Sequence, residues 1–210
     1  GGSFDWARAY ETSGHFAELS TPSDGFQGMN FSEENTVGAF LLRAQVEGLR
    51  DLGACISPHS AASILQGIET LGLRMERHMR NTAQVVQFLA NHPLINCVNH
   101  PMLPSHPGHA LAQKLMPKGA GSVFSFELQG SRRQSQAFVE ALKVFSHLAN
   151  VGDCRSLVIH PASTTHARMD DTALAAAGIG KGTIRLSIGL EDAADLVEDL
   201  SRGLKVAEKV

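Results

Sequence analysis

Cysteine is scarce in this sequence, since only Cys55, Cys97 and Cys154 occur among its 210 residues. An odd number at such wide spacing suggests neither a disulfide framework nor a zinc knuckle, and a reducing cytoplasm is the simplest compartment. A basic excess is lacking too, because 18 Lys and Arg residues face 21 Asp and Glu residues. The formal net charge of −3 offers no basic patch for nucleic acid and no anchor for anionic lipid. No apolar run approaches the roughly 20 residues that cross a bilayer.

An initiator methionine is also missing, because the sequence opens on "GGSFDWARAY". This opening lacks the apolar core of a signal peptide. Proteins seldom begin in this way unless they were processed or truncated, so we expect a fragment of a longer protein. Residues 1–31 combine many Gly, Ser and Thr residues with scattered aromatics and no sustained period. They are predicted to form an irregular segment that lies on another surface.

Helical periodicity occurs in two places. After Ser32, apolar residues recur at helical spacing as far as Leu52. Pro58 follows a serine and marks a second helix start, and the apolar stripe behind it continues to Leu89. We predict one long helix over 57–92, and a helix this long is expected to connect two bodies because helices average about 11–12 residues.

The pattern changes after Pro93, where strand-like segments occur at 95–99, 122–128, 156–160 and 183–189. The second segment alternates, with Phe124, Phe126 and Leu128 on one face. A helix between the second and third segments is predicted to bury a stripe of Phe138, Leu142, Phe145 and Leu148 or Ala149. A closing helix follows Glu191 and Asp192. The order β-β-α-β-β-α predicts a two-layer α+β domain with its helices on one face of the sheet.

Arg185 is the most informative single residue. In the strand "TIRLSIG", alternation sends Ile184 and Leu186 to the core and leaves Arg185 on the opposite face. A guanidinium in such a position suits bidentate capture of a carboxylate or phosphate. The pattern equally allows a surface salt bridge with a neighbouring strand, so the residues alone leave both interpretations open.

Histidine-rich segments invite a metal hypothesis, which the spacing does not favour. His106 and His109 are three residues apart and His160 and His166 are six apart, without any of the usual zinc signatures. Four His-Pro pairs are typical of turns, so structural roles are predicted for the histidines. No G-x-S-x-G elbow and no phosphate loop occurs, and "KGAGSV" at 118–123 runs into a strand instead of a helix.

Three longer segments resemble a known family: "SPHSAASILQGIETLGLRMERHMRN" (57–81), "FSHLANVGDCRSLVIHPASTTH" (145–166) and "GTIRLSIGLEDAADLVEDL" (182–200). They are similar to the C-terminal half of the Cys/Met-metabolism enzymes, which are fold-type-I enzymes that use pyridoxal phosphate. The turn containing Asn150 resembles the O-acetylhomoserine sulfhydrylase (homocysteine synthase) branch. Cystathionine-handling relatives and methionine γ-lyases usually carry a serine there. The likeness covers essentially the whole chain.

The resemblance implies an α/β enzyme of fold type I whose small C-terminal domain is α+β. Residues 1–56 would be the tail of the large cofactor domain with an irregular interface segment. Residues 57–92 would be the connecting helix, and residues 93–210 the C-terminal domain on the substrate side. Relatives form tetramers, so a homotetramer is implied for the intact protein.

The cofactor lysine of the family is the main departure. None of the six lysines has the Ser-x-Thr-Lys type context in which that residue occurs; they are Lys114, Lys118, Lys143, Lys181, Lys205 and Lys209. The opening "GGSFDW" resembles the segment just after this lysine. The resemblance therefore implies that the pyridoxal phosphate site precedes this chain, and that the chain alone is inactive and contains no catalytic residue.

What carries over from the family is substrate recognition. Arg185 matches the arginine that binds the substrate carboxylate, Asn150 matches a position near the same carboxylate, and Thr165 matches a threonine that faces the active site. The implied reaction replaces the acetate of O-acetyl-L-homoserine by sulfide or methanethiol, giving homocysteine or methionine. Methionine γ-lyase, cystathionine γ-synthase and a non-catalytic assembly module stay open as alternatives.

Overall fold

The computed structural model describes residues 4–210 and divides the chain into two compact units, Gly1–Gln66 and Gly67–Val210. The first unit is helical. Its elements are α1 (Trp6–Ser13), α2 (Ala17–Ser20), a 3-10 turn (Asp24–Phe26), α3 (Phe31–Glu34) and α4 (Ala39–Arg43), which continues as a π-helical segment (Ala44–Asp51). Residues 1–31, predicted to be irregular, thus include two short helices. Asp5 caps α1 through its side chain, which accepts the backbone N–H of Arg8.

A small apolar core holds the first unit together. Leu19, Phe31 and Ala39 are buried at its centre, with Trp6 and Phe26 among the partly buried side chains around them. The helix predicted after Ser32 begins one residue earlier, at Phe31, because the side chain of Asn30 provides its cap. The helix is also interrupted between Glu34 and Ala39.

The long helix predicted over 57–92 is observed as two helices, α5 (Pro58–Glu69) and α6 (Leu71–Ala90). Thr70 lies between them outside helical geometry, and its hydroxyl accepts a hydrogen bond from Arg74 Nε. No residue of α5 is buried, although Ile64, Leu65 and Ile68 are apolar. In α6 the second half of the predicted stripe is buried, through Val85, Val86 and Leu89.

A five-stranded mixed sheet forms the centre of the second unit, with the order β1-β2-β5-β4-β3. The strands are β1 (Ile95–Asn99), β2 (Val123–Leu128), β3 (Ser146–His147), β4 (Leu157–Ile159) and β5 (Thr183–Ser187). All pairs are antiparallel except β3 with β4. This mixed α/β architecture confirms the predicted fold class.

One face of the sheet packs against α6, α8 (Arg132–Ala141) and α10 (Ala193–Ala207). Phe126, Ile184 and Leu186 project from the sheet into this core, where Phe138 of α8 and Leu200 of α10 are fully buried. The opposite face carries Arg185. The sequence pattern had not indicated β3, α7 (His109–Leu115) or α9 (Asp171–Ala176).

The helix predicted to extend to Leu148 or Ala149 ends at Ala141, and that part of the prediction was wrong. The carboxylate of Asp199 accepts the backbone N–H groups of Lys143, Val144 and Phe145, at 2.7–3.2 Å. These donors are therefore turned toward α10 instead of continuing a helical ladder. Phe145 is still buried, but it lies in the connection to β3.

Candidate functional site

Arg185 lies on the face of β5 that is turned away from the helices. Ile184 and Leu186, its neighbours in the chain, are fully buried in the core, so alternation sets the direction of the arginine. Across the sheet it pairs with Ser125 of β2 and Ile159 of β4. Among residues 4–210, no carboxylate forms a salt bridge with its guanidinium within 4.0 Å. The described part of the chain therefore does not contain the salt bridge that the sequence pattern allowed.

Arg185 lines a cavity of about 410 Å³ on this open face of the sheet. Polar side chains of β1, β2, β5 and the segment after β4 converge there, including Asn99, Ser125, Thr183 and Thr165. The full lining is Asn99, Val123, Phe124, Ser125, Ile159, Pro161, Thr165, His166, Gly178, Ile179, Thr183 and Arg185. A concave site with one unpaired cation and several hydroxyl and amide groups has the chemistry to bind a small anionic ligand.

Asn150 approaches Arg185 through its backbone. Its carbonyl oxygen accepts a hydrogen bond from Arg185 Nη2 at 3.4 Å, while its side-chain Oδ1 accepts the N–H of Val151 at 2.9 Å. The residue lies in an exposed loop and is not among those that line the cavity. The structure thus brings Asn150 to the arginine, but with its side chain occupied by a local hydrogen bond.

Asp153 gives the same loop a negative charge. The backbone N–H of Arg155 donates to its carboxylate at 2.9 Å, and this hydrogen bond is the main reason why the pKa of Asp153 lies below its ordinary value. Burial opposes this shift, whereas the nearby charge of Arg155 lowers the pKa further. The loop is therefore closed by its own side chains and turns a backbone carbonyl toward Arg185.

Thr165 lies on the cavity wall, where its hydroxyl forms a hydrogen bond with Nδ1 of His166 at 2.8 Å. Both residues follow a 3-10 turn (Pro161–Ser163) that is fastened by His160. The ring of His160 is buried, with Nε2 at 2.9 Å from the carbonyl of Lys181 and Nδ1 at 2.8 Å from the hydroxyl of Ser163.

Burial is the principal reason why the pKa of His160 is lowered, which favours the neutral ring. The neutral ring donates from Nε2 to the backbone carbonyl and accepts the Ser163 hydroxyl proton at Nδ1. This arrangement agrees with the structural role predicted for this histidine. It places Thr165 without putting His160 in the cavity.

Several polar residues of the cavity were missed by sequence reasoning. Ser125 and Thr183 carried a usable signal, since alternation places each on the face opposite the core. For Asn99 and His166 the sequence offered no such signal. The pairing of β1 is irregular between Ile95 and Cys97, and His166 follows the 3-10 turn instead of lying in a strand.

The cavity provides no amine for a Schiff base. Of the six lysines of the chain, none lies among the residues that line the space around Arg185. The described residues therefore suit the carboxylate of an amino acid, but they do not fit covalent attachment of pyridoxal phosphate.

The chain belongs to the family of Cys/Met metabolism PLP-dependent enzymes, whose family model matches residues 20–205. This confirms the resemblance stated from the three segments and identifies the cofactor class of the family.

Two curated relatives are described as a sulfhydrylase and a homocysteine synthase. O-acetyl-L-homoserine sulfhydrylase of Leptospira meyeri is 44% identical over 98% of this chain and 47% of its own length. Homocysteine synthase of Schizosaccharomyces pombe is 43% identical over 98% of this chain and 47% of its own length. The chain thus spans about half the length of the curated relatives that it matches.

A crystal structure from Campylobacter jejuni, of a candidate O-acetylhomoserine (thiol)-lyase, superimposes with a TM-score of 0.79 at 39% identity. The match covers 90% of this chain and 45% of that one, which carries a pyridoxyl-lysine adduct. The predicted fold-type-I fragment is consistent with this likeness. No helix among residues 4–210 has the length and apolar character to cross a membrane.

Proposed function

We propose that the intact protein is an O-acetylhomoserine sulfhydrylase in which this chain forms the substrate side of the active site. In this reaction, sulfide replaces the acetate of O-acetyl-L-homoserine to give homocysteine and acetate. The observation that carries the proposal is the half-buried side chain of Arg185, without a carboxylate partner within residues 4–210, in a cavity with polar walls. The relatives described as sulfhydrylases at 42–44% identity support the same activity.

In this proposal Arg185 forms a two-pronged hydrogen bond with the substrate α-carboxylate, because its planar fork matches that geometry. The strand positions the arginine rigidly, since β5 is paired on both sides. Thr165, which also lines the cavity, would contact the bound amino acid. Pyridoxal phosphate, bound by residues outside this chain, supplies the electron sink. The contribution of this chain is orientation of the substrate, not bond making.

An assay of the intact protein tests the proposal. O-acetyl-L-homoserine with sulfide is expected to yield homocysteine and acetate, whereas methionine without sulfide is expected to be turned over far more slowly. Methanethiol as the second substrate distinguishes direct methionine synthesis from homocysteine synthesis. Rapid breakdown of methionine without incorporation of sulfide would replace the proposal by a methionine γ-lyase.

Methionine γ-lyase is the second candidate because one such relative, from Pseudomonas deceptionensis, is 43% identical over 78% of this chain. Its alignment with this chain spans 164 residues, compared with 214 residues for the Leptospira meyeri sulfhydrylase. Asn150, where that branch usually has serine, favours the sulfhydrylase. Cystathionine γ-synthase stays a further alternative within the family, and a succinyl leaving group would indicate it.

The chain alone is proposed to be inactive and colourless, since its described residues contain no suitable lysine. Purified 210-residue chain mixed with pyridoxal phosphate should give no stable imine absorbance at about 420 nm after dialysis.

The apolar side chains of α5 are exposed, among them Ile64, Leu65 and Ile68. They support the proposal that another part of the intact protein covers this helix. A homotetramer and a cytoplasmic location both stay predictions.

Thr165→Val in the intact protein is expected to lower kcat/KM for the amino-acid substrate by about 3- to 30-fold. Valine keeps the shape of threonine but removes the hydroxyl from the cavity wall, and one such hydrogen bond contributes about 0.5–2 kcal/mol. Steady-state kinetics measure the change. The matched control is Thr164→Val, because the Thr164 hydroxyl donates to the carbonyl of His160 at 2.9 Å and lies outside the cavity. An equal loss in both variants would contradict a specific role for Thr165.

A further inference from the structure

The segment that follows β5 is fixed to α6 by buried polar side chains. His78 Nδ1 lies 2.6 Å from the carbonyl oxygen of Ile188. Asn81 Nδ2 donates to the carbonyl of Gly189 at 3.0 Å and to that of Glu191 at 2.8 Å. His78 and Asn81 are each only 1% exposed, so these hydrogen bonds are shielded from water. The backbone of residues 188–191 therefore has a fixed position relative to α6.

The carboxylate of Glu191 joins this segment to the start of β4. Its Oε1 accepts the backbone N–H of Ser156 at 2.6 Å, and its Oε2 accepts the Ser156 hydroxyl at 2.8 Å. The same hydroxyl accepts the backbone N–H of Gly189 at 2.8 Å. Ser156 is fully buried, so each of its polar hydrogens depends on Glu191 for a partner. We call this Glu191, Ser156 and Gly189 arrangement the carboxylate clamp.

The clamp leaves no free space between the two segments. A Cβ atom on Gly189 would lie 2.5 Å from Glu191 Oε2 and would also collide with the carbonyl of Cys154. The backbone N–H of Leu190 donates to that carbonyl at 2.8 Å. Residues 154–156 and 188–191 are thus in direct contact, and the Glu191 side chain adds two hydrogen bonds to the backbone hydrogen bond between them.

These two segments lead directly to the proposed carboxylate site. Arg185 precedes Ile188 by three residues on one side of the clamp. Asn150, whose carbonyl receives the hydrogen bond from Arg185, precedes Ser156 by six residues on the other side. The loop between them is exposed, so its position depends on its anchorage at Ser156. An arginine side chain also has high rotamer entropy, and a fixed carbonyl partner reduces the number of orientations that it samples.

We propose that Glu191 is a positioning residue for substrate binding: through Ser156 it fixes the Asn150 loop, and the loop carbonyl orients the guanidinium of Arg185. This inference rests on the proposed function, because it assumes that Arg185 binds the substrate carboxylate. It goes beyond that function by assigning a role to a carboxylate that does not line the cavity.

The principal test is Glu191→Ala in the intact protein. Removal of the carboxylate leaves the Ser156 N–H and O–H without acceptors, so the loop should lose its anchorage. The KM for the amino-acid substrate is expected to rise at least 10-fold, while kcat changes less than 3-fold and the apparent KM for sulfide is unchanged. A competitive amino-acid inhibitor should show the same loss of affinity, which is a readout apart from turnover.

Two variants sharpen this test. Glu191→Gln should restore part of the affinity, because the glutamine oxygen can still accept the Ser156 N–H, whereas the Ser156 hydroxyl proton loses its acceptor when the amide nitrogen replaces Oε2. Glu198→Ala is the matched control, since Glu198 is an exposed carboxylate of α10 that pairs only loosely with Arg202, at 3.6 Å. An unchanged KM in folded Glu191→Ala, or a KM that rises equally in Glu198→Ala, would overturn the proposal.

Amide hydrogen exchange of the intact protein separates the clamp from overall stability. Glu191→Ala should accelerate exchange in residues 150–156 and at Gly189, with the amides of Phe126 and Ile184 still protected. Uniform acceleration, including a failure of the variant to fold, would show a general structural role and would overturn the proposal. If the wild-type intact protein processed neither O-acetylhomoserine nor methionine, the proposed function would fail, whereas the exchange result would still decide whether Glu191 anchors the loop.

Discussion

Replacing Arg185 by lysine in the intact protein is expected to lower kcat/KM for the amino-acid substrate by roughly 30- to 1,000-fold, or about 2–4 kcal/mol. Lysine keeps the positive charge but replaces a planar two-pronged donor by a point charge that is more strongly hydrated. The effect should be large because no other Lys or Arg lines the cavity within the described residues. Steady-state kinetics with varied amino-acid substrate measure it.

Arg133→Lys is the matched control for that experiment. Arg133 is an exposed residue of α8 that does not line the cavity. Its replacement should leave the kinetics within about 2-fold of the wild-type values. Unchanged kinetics of Arg185→Lys would mean that this arginine is an ordinary surface residue of the sheet.

The largest effect on stability is expected at Asp199. Its side chain is fully buried, and it accepts the backbone N–H groups of Lys143, Val144 and Phe145 as well as a hydrogen bond from Arg202. Asp199→Ala leaves these donors without an acceptor in the interior, so the free energy of unfolding should fall by about 3–5 kcal/mol. Urea denaturation of the 210-residue chain, followed by circular dichroism, measures the loss.

Asp195→Ala tests whether that loss is specific. Asp195 is an exposed acid in the first turn of the same helix, where it interacts only with the helix dipole, and its removal should cost about 0.3–1 kcal/mol. A similar small loss for Asp199→Ala would show that water replaces the carboxylate at residues 143–145, and the account of why α8 ends at Ala141 would be wrong.

The strands that carry the site were predictable because the alternating pattern that indicates them lies within each strand. In β2 and β5 apolar and polar residues alternate, and this alternation places Phe126 and Ile184 in the core and Arg185 on the open face. The same alternation places Ser125 on the open face of β2. That β2 and β5 are neighbours, and that Ser125 pairs with Arg185, came from the structure.

Features that depend on distant partners were not predictable. The end of α8 is set by Asp199, which lies more than fifty residues later in the chain, and the clamp joins Ser156 to Glu191 across 35 residues. Local patterns instead extended the helix through Phe145, since that residue fits the apolar spacing. The break at Thr70 was missed because the stripe of apolar residues continues through it, although the backbone of Thr70 departs from helical geometry.

The candidate site was likewise predictable where it depends on a local pattern and unpredictable where it depends on distant residues. The alternation of apolar and polar residues predicted that Arg185 lies on the open face of the sheet. It left open whether the partner of this arginine is a ligand or a neighbouring carboxylate. The structure adds the cavity and shows no salt bridge to Arg185 within residues 4–210. For Asn150 the resemblance indicated a position whose side chain and adjacent backbone lie near the substrate carboxylate, and in the structure its backbone carbonyl contacts Arg185. The roles of Arg185, Asn150 and Thr165 in substrate binding stay predictions.

The most direct test of carboxylate recognition by Arg185 compares two substrates in the intact protein. O-acetyl-L-homoserine and its analogue without the α-carboxylate should differ in kcat/KM by at least 100-fold for the wild-type protein, because only the former can pair with the guanidinium. In Arg185→Ala this discrimination should shrink to less than 10-fold. Discrimination that persists undiminished in Arg185→Ala would contradict the account, since the carboxylate would then be recognised elsewhere.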